Sequence, residues 1–235
     1  MKKLFTLILI ALFALPTMNA LAQNPPPMPA KEKKLTLTVL LQSLYNGVDM
    51  SKAQDYVGGV PVDKFQGTVA EVITVELHDA VTYATIVYST TADLNTDGTA
   101  VTSGKTYISI PSSYTGSYYI TVKHRNSIET TSINPVSFTT PTINYNFTTA
   151  AGQAYGDNLM LLNPGGSPLV YGIFAGDVDQ DGYVVIGDRD IVHNSAVAGT
   201  TGYVAEDVNG DGFVVIGDRD IVHINAVAGV TAVLP

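Results

Sequence analysis

The side chains that most clearly suggest a chemical role are acids placed at alternate positions within residues 177–188. Alternate oxygen-bearing side chains can wrap a hard cation, because every second residue turns its oxygen inward. Gly182 occupies position 6 of this segment, where a sharp turn is needed, and Tyr183 offers a backbone carbonyl at position 7. We therefore expect a cation-binding loop here. The acids at positions 1, 3, 5 and 12 are Asp177, Asp179, Asp181 and Asp188.

The same pattern occurs a second time, 30 residues later. Residues 207–229 differ from residues 177–199 at only 5 of 23 positions, so the repeat is one supersecondary unit used twice. Both copies have the oxygen spacing of an EF-hand calcium loop, and the sequence therefore predicts two Ca²⁺ sites. Positions 1, 3, 5, 6, 7 and 12 of the second copy are Asp207, Asn209, Asp211, Gly212, Phe213 and Asp218.

The charge of the repeat segment favours the same interpretation. Residues 177–220 contain ten acids and two arginines, and carboxylates so close together repel unless a cation compensates them. The alternative is an acidic, solvated surface with turns at the Asp-Gly pairs, which gives no reason for position 12 to recur in register. The apolar residues at position 8, Val184 and Val214, predict a short β-contact between the loops.

Together, the two loops resemble a dockerin type I domain, the calcium-dependent plug of bacterial cellulosomes. In that family each copy is a loop followed by one helix, and residues 172–176 and 202–205 before the loops start helices poorly. Aspartate at position 12, where EF-hands carry glutamate, is also typical of dockerins. The resemblance implies a cohesin-like protein partner, and it implies as ligands Asp177, Asp179, Asp181, Asp188, Asp207, Asn209, Asp211 and Asp218.

Two features depart from the family pattern. Val185 and Val215 occupy position 9, where a polar residue often holds a bridging water, so that ligand must come from solvent or elsewhere. Positions 10 and 11 are Ile-Gly in both copies instead of the hydroxyl pair that helps to select a cohesin. The helix after the first loop is predicted over 188–198, with two or three turns and an end at Gly199.

The N-terminal region has the features of export. Residues 1–22 carry Lys2 and Lys3, an apolar run and a small-residue cleavage site, as in a secretory signal peptide. Residues 23–34 form a Pro-rich linker. The absence of cysteine excludes disulfides, zinc thiolate sites and a lipid-anchored lipoprotein. These features predict a protein that a bacterium secretes or displays on its surface.

Residues 35–149 have the alternation of half-buried strands, rich in Thr, Val, Ile and Tyr and punctuated by turn residues. They predict an antiparallel β-sandwich, Ig-like or jelly-roll-like. The insert 48–66 is either a loop packed over one sheet or a mobile surface loop. A linker at 150–170 leads to the small α domain of two calcium loop-helix units at 171–235. Strands are predicted at 35–39, 72–78, 83–88, 107–110, 118–124 and 143–147.

The order of these parts is also familiar. A β domain ending in VKHRNS (122–127), then AYG (154–156) and YGIFAGDVDQDG (171–182), resembles the C-terminal cassette of many large secreted bacterial proteins.

Three other segments carry chemistry-bearing residues. Residues 93–98 imitate the start of a calcium loop, but position 12 falls on Gly104, so a hairpin turn is the better interpretation. Residues 124–126, with Glu129 nearby, are either a solvated strand end or a sugar- or peptide-binding cluster. Tyr118 and Tyr119 must point to opposite faces, so at least one should be exposed and available to stack on a sugar.

No arrangement of residues predicts catalysis. The acids of the β domain are scattered, and no Ser-His-Asp order, HExxH motif or Gly-rich phosphate loop occurs. A net charge of −9 disfavours nucleic acid, and no segment besides the signal is apolar enough for membrane insertion.

We therefore expect a non-enzymatic, calcium-binding protein that docks onto a partner in an extracellular assembly, with the cellulosome resemblance pointing to polysaccharide degradation. The close repeat implies a pseudo-two-fold domain that one partner engages in two orientations. The alternatives are a carbohydrate-binding module braced by calcium and a self-assembling surface or fibre subunit.

Overall fold

The computed structural model describes residues 32–235. The predicted signal peptide at 1–22 and all but the last three residues of the Pro-rich linker at 23–34 lie outside the described residues. Within residues 32–235, no helix is long and apolar enough to cross a membrane.

Strands are the main regular structure of the described chain, with 38% of residues against 15% in helices, and one large sheet contains nine strands. All its pairings are antiparallel except that between the first strand and the eleventh. This architecture agrees with the predicted mainly-β class and is consistent with a β-sandwich. The strands are β1 Glu32–Thr38, β2 Gln54–Val57, β3 Val60–Asp63, β4 Val69–Asp79, β5 Ile86–Asn95, β6 Thr99–Val101, β7 Ile108–Pro111, β8 Ser117–His124, β9 Ser127–Thr131, β10 Val136–Ser137, β11 Thr142–Asn146, β12 Met160–Leu161 and β13 Tyr171–Gly172.

The sheet order follows from which strands bury their alternate residues. Its main path is β10-β8-β4-β5-β6-β1-β11, with β7 also paired to β1 and β9 to β8. Leu35 and Leu37 of β1 are fully buried while their neighbours on the strand are not, as alternation predicts. β4 and β8 pair over six residues, which places the turn after β8 at one end of the sheet.

Two predictions for the β domain need correction. The strand expected at 83–88 begins only at Ile86, because Asp79 Oδ1 accepts hydrogen bonds from the backbone N–H groups of Val81 and Thr82 and holds a turn there. The insert 48–66 is not wholly a loop: it contains the β2–β3 hairpin, with Met50 and Ala53 buried and residues 57–64 exposed. Residues 93–98 run into the β5–β6 turn, as expected of a hairpin.

Two α-helices follow the two predicted loops: α1 Ile186–Val197 and α2 Ile216–Ala228. Each begins at position 10 of its loop, because the position-12 aspartate accepts a hydrogen bond from the backbone N–H at position 9 and stabilises the first turn. For α1, this is two residues before the predicted start at 188. Within residues 32–235, no helix leads directly into either loop, because residues 173–176 and 200–206 are not helical.

One hydrophobic core runs through the whole described chain. It includes Leu41 of the β domain, Ala154 and Leu159 of the predicted linker, and Val192 and Val222 of the two helices. Leu41 forms a bridge to Ile173, just ahead of the first loop. The sheet and the helical segment therefore stabilise each other through a common apolar interior.

This shared core predicts a single cooperative unfolding transition. Leu41→Ala, at a fully buried position, should lower the free energy of unfolding by about 2–5 kcal/mol. Near-UV circular dichroism of the tyrosines and far-UV circular dichroism of the helices should shift together in a denaturant titration. Val48→Ala, at an exposed position, is the control and should change little; two separate transitions would contradict a common core.

Candidate metal centre

The first loop brings three of its predicted ligands together. Asp177, Asp179 and Asp188 each offer a carboxylate oxygen within 4.8 Å of the others. Asp181 lies outside that group, and its Oδ1 accepts a hydrogen bond of 2.9 Å from the backbone N–H of Tyr183. The three converging oxygens are hard donors of the kind that Ca²⁺ prefers.

Backbone N–H groups fix the carboxylate at position 1. Asp177 accepts hydrogen bonds of 3.1 Å from the N–H groups of Asp181 and Gly182. Gly182 has φ +88°, which a residue with a side chain rarely adopts, so the glycine predicted at position 6 is required by the turn. The loop therefore curls around the carboxylate of Asp177.

The aspartate at position 12 ties the loop to the helix. One carboxylate oxygen of Asp188 accepts a hydrogen bond of 2.9 Å from Val178 N–H, and the other accepts one of 2.9 Å from Val185 N–H. Asp188 is fully buried. The beginning and end of the loop are therefore held around one carboxylate.

The second loop repeats this hydrogen-bond pattern. Asp207 accepts bonds from the N–H groups of Asp211 and Gly212, at 3.1 and 3.0 Å. Asp218 accepts bonds from Asn209 and from Val215, both at 2.9 Å. Position 7 is Phe213, whose N–H bonds to Asp211 as that of Tyr183 bonds to Asp181. The two copies therefore share a backbone geometry as well as a sequence.

The electrostatics of both loops favour the binding of a cation. Burial raises the pKa of Asp177 to about 6 and that of Asp207 to about 7, with neighbouring aspartates adding to the shift. Burial also raises the pKa of Asp188 and of Asp218. None of the four forms an ion pair with a lysine or arginine in the described part of the chain. The charge of Arg125 lowers the pKa of Asp207 but does not cancel the rise caused by burial. Buried carboxylates without a direct ion-pair partner fit the requirements of a divalent-cation site.

The predicted contact between the two loops is replaced by a reciprocal one. Val184 N–H donates to Val230 O at 2.9 Å, and Val214 N–H donates to Thr200 O at 3.1 Å. Each loop thus pairs with the segment that follows the other copy's helix, so neither copy is complete alone.

The β8–β9 turn, interpreted from sequence as a solvated or ligand-binding strand end, is buried against the second loop instead. Arg125 Nη1 donates to the carbonyl oxygens of Val204 and Asp207, the latter at 2.9 Å. Asn126 Nδ2 donates to Ala205 O at 3.1 Å and to Asp207 O at 3.2 Å. Sequence reasoning missed this role; the signal available was the polar VKHRNS segment, whose partners lie about 80 residues away.

A buried acid orients that arginine. Glu71 Oε2 lies 3.1 Å from Arg125 Nε and 3.2 Å from His124 Nε2, and Tyr203 donates its hydroxyl to Oε1. Burial by itself would raise the pKa of Glu71, but the hydrogen bond to His124 and the charges of His124 and Arg125 outweigh it and hold the pKa at about 2. Burial lowers the pKa of His124, while its contact with Glu71 opposes that shift.

The tyrosines do not form an exposed platform in the β domain. Tyr118 packs edge-on against Phe138, and Tyr119 packs against Tyr83 and Tyr155. Both are half-buried, so the expectation that one would be exposed for sugar stacking is wrong. The rings of Tyr118 and Tyr119 are each partly covered by neighbouring aromatic side chains.

No protein-family model matches the chain, and no curated protein matches it. Among solved structures, it is similar to two mutant complexes of type II cohesin with X-dockerin from Acetivibrio cellulolyticus. The complex with a mutated C-terminal interface has 15% identity and a TM-score of 0.44, over 82% of this chain and 94% of that one. The complex with a mutated N-terminal interface has 18% identity and a TM-score of 0.42, over 81% and 94%. Similarity at this level does not assign a function to this chain, so its function has to be inferred from its own residues.

The raised pKa values predict how the metal-free protein responds to pH. Asp177 and Asp207 have folded-state pKa values of about 6 and 7, above the ordinary 3.8. Their contribution to stability is therefore fully present below pH 3.8 and is lost as the pH rises through these folded values. In EDTA, urea denaturation at successive pH values should show a decreasing free energy of unfolding between about pH 4 and 7.

The double variant Asp177→Asn/Asp207→Asn is the control, because an amide imitates the protonated carboxyl. It should show a flatter pH profile over this window. The depressed pKa of Glu71 acts only at lower pH, since its contribution is present above 4.5 and is lost toward pH 2. An unchanged slope in the double variant would show that these two carboxylates do not titrate as described.

Proposed function

We propose that the protein is a secreted, non-catalytic calcium-binding protein whose paired helices dock onto a protein partner in an extracellular assembly. The observation that carries the proposal is the duplicated 12-residue loop with buried aspartates at positions 1 and 12, which have no ion-pair partner among residues 32–235. The resemblance to dockerins supports the same interpretation.

The residues of each loop fit a Ca²⁺ ion. In the first loop, Asp177, Asp179 and Asp188 supply converging carboxylates, and Asp181 and the Tyr183 carbonyl are the remaining candidates. Ca²⁺ supplies positive charge to buried carboxylates and so stabilises the folded loops. In the second loop the candidates are Asp207, Asn209, Asp211, the Phe213 carbonyl and Asp218.

Calorimetric titration should show two Ca²⁺ ions in the wild-type protein and one in each of the variants Asp188→Asn and Asp218→Asn. Each ion should stabilise the folded protein by ~2.7 kcal/mol at 100-fold saturation, because it binds the folded form alone. Asp97→Asn, in the β5–β6 turn that imitates a loop, is the matched control and should retain both ions. No heat of binding at millimolar Ca²⁺, with a melting curve unchanged by EDTA, would refute calcium binding.

The docking surface that we propose is a stripe along each helix, referred to as the helix face. Its apolar residues are well exposed: Ile186 and Ile216 at 48% and 63%, Val197 and Val227 at 76% and 73%. The spacing places them on one side of each helix, so they are not required for the core. The helix face consists of Ile186, Arg189, His193 and Val197 on α1, and Ile216, Arg219, His223 and Val227 on α2.

The two stripes lie side by side. Arg189, His193, Arg219 and His223 line one groove of about 290 Å³ together with Asp190. Val197 of α1 adjoins Ile216 of α2 in the neighbouring hollow. Arg189 and Arg219 pair with the neighbouring aspartates at 2.7 and 2.9 Å. The exposed apolar residues are therefore the main feature of this surface, which suits a partner with an apolar patch.

The identical stripes predict equivalent roles for the two copies in partner binding. Arg189→Glu and Arg219→Glu should each weaken partner binding by a similar, small amount, because the other orientation remains available. In the double variant, the affinity for the partner should fall about tenfold or more. Capture of proteins from the native secretome by the calcium-loaded protein measures this. Val81→Glu, on an exposed turn of the β domain, is the control.

Strongly unequal losses from the two single variants would refute binding in two orientations. Oligomers that dissolve in chelator, with no foreign protein captured, would favour self-assembly instead.

A further inference from the structure

The β domain touches the two nearly identical loops in different ways. The backbone carbonyl of Asn126 accepts a hydrogen bond of 2.7 Å from Gly176 N–H, immediately before the first loop. The side chains of Arg125 and Asn126 instead hold the carbonyl oxygens of Val204, Ala205 and Asp207 at the entrance of the second loop. In the first loop, the equivalent carbonyl of Asp177 accepts its bond from Gln180, within the loop itself, at 2.6 Å.

The sequence differences between the copies coincide with this unequal contact. Gly210 O accepts a bond of 2.8 Å from Gln54 N–H, and a Cβ at Gly210 would lie 2.6 Å from Leu44 Cδ2. Its counterpart Gln180 adopts a similar φ, +60° against +72°, and has an exposed side chain whose Nε2 donates to Ser127 O at 3.2 Å. Glycine is therefore needed at this position because the β domain approaches closely, and only in the second copy.

Two further differences lie at the same interface. The ring of Phe213 packs edge-on against Tyr56 of β2 at 5.1 Å, while its counterpart Tyr183 is exposed. Asn225 is buried and donates to Gln42 Oε1 at 2.8 Å and to Ala175 O at 2.7 Å. Three of the five substitutions between the copies thus fit the second copy to the β domain.

We infer that Arg125 and Asn126 are positioning residues for the second calcium loop, so that the two loops are unequal ion sites and only the second depends on these side chains. This inference rests on the proposed calcium binding. Arg125 is well suited to the role, because its planar fork donates to Glu71 and to two loop carbonyls at once. The Arg125 guanidinium also lies over the ring of Tyr203, at 4.6 Å from its centroid.

The test measures one loop at a time in the full chain. Asp188→Asn leaves the second loop as the ion site, and Asp218→Asn leaves the first. Arg125→Lys is then added to each background; it keeps a positive charge beside Glu71 but cannot reproduce the fork. Calorimetry with Ca²⁺ alone should show affinity about tenfold weaker in the second-loop background, the size expected for losing a charge-assisted hydrogen bond.

In the first-loop background, the same substitution should change the affinity by less than about twofold, which is well below the cost of one such bond. Lys105→Arg, in the β domain beside Glu32, is the matched control and should leave both backgrounds unchanged. Far-UV circular dichroism in calcium verifies that each variant is folded.

A second pair of variants keeps the inference falsifiable if Arg125→Lys does not fold. Gly210→Gln gives the second loop the residue that the first loop has at this position. It should weaken Ca²⁺ binding by the second loop, because the new side chain would displace the loop from Leu44. Gln180→Gly, the reverse change, removes the bond from Gln180 Nε2 to Asp177 O and should leave Ca²⁺ binding by the second loop unaffected. Since Gln180 tolerates a positive φ, backbone strain alone does not account for a loss in Gly210→Gln.

The outcomes separate the inference from the proposed function. If the wild-type protein binds two ions but Arg125→Lys and Gly210→Gln weaken both loops equally, or neither, the positioning role is refuted while calcium binding stands. If the wild-type protein binds no ion, both are refuted. A loss confined to the second loop supports the inference.

Discussion

The burial of four aspartate carboxylates is the constraint on which the rest of the C-terminal segment depends. Positions 1 and 12 of both loops lie inside the fold, and burial raises the pKa of each of these four carboxyls. A carboxylate withdrawn from water destabilises the fold unless hydrogen bonds and a positive charge replace its hydration. Backbone N–H groups of the loops provide the hydrogen bonds, and we propose that a divalent cation provides the positive charge.

The reciprocal closure of the loops explains why the unit occurs twice. The position-8 residues Val184 and Val214 direct their N–H groups to the segments after the opposite helices, at Val230 and Thr200. A single loop-helix unit would leave these groups without a partner and would expose one side of its helix. The pair is therefore the smallest version of this arrangement that satisfies its own backbone hydrogen bonds.

The sequence was sufficient to predict strands, loops and helices where these depend on the local spacing of residues. Alternation located β1, β4, β8 and β11 to within a few residues, and the 12-residue repeat located the loops and helices. It was insufficient where a residue's partner is distant in the chain. Residues 124–126 are polar and follow a strand, as a solvated turn would, yet His124 and Asn126 are buried by contacts that no local pattern encodes.

The repeat is asymmetric where it meets the β domain and symmetric where it meets solvent. A duplicated unit packed against one asymmetric domain cannot give both copies the same surroundings, so the inner positions Gly210, Phe213 and Asn225 differ from their counterparts. The exposed positions experience no such requirement, and Asn194 and Ile224 show that they are free to differ. Packing therefore does not explain why isoleucine, arginine, histidine and valine recur at the four positions of the helix face. Because exposed apolar side chains have an unfavourable contact with water, their repetition is best explained by contacts made outside the chain.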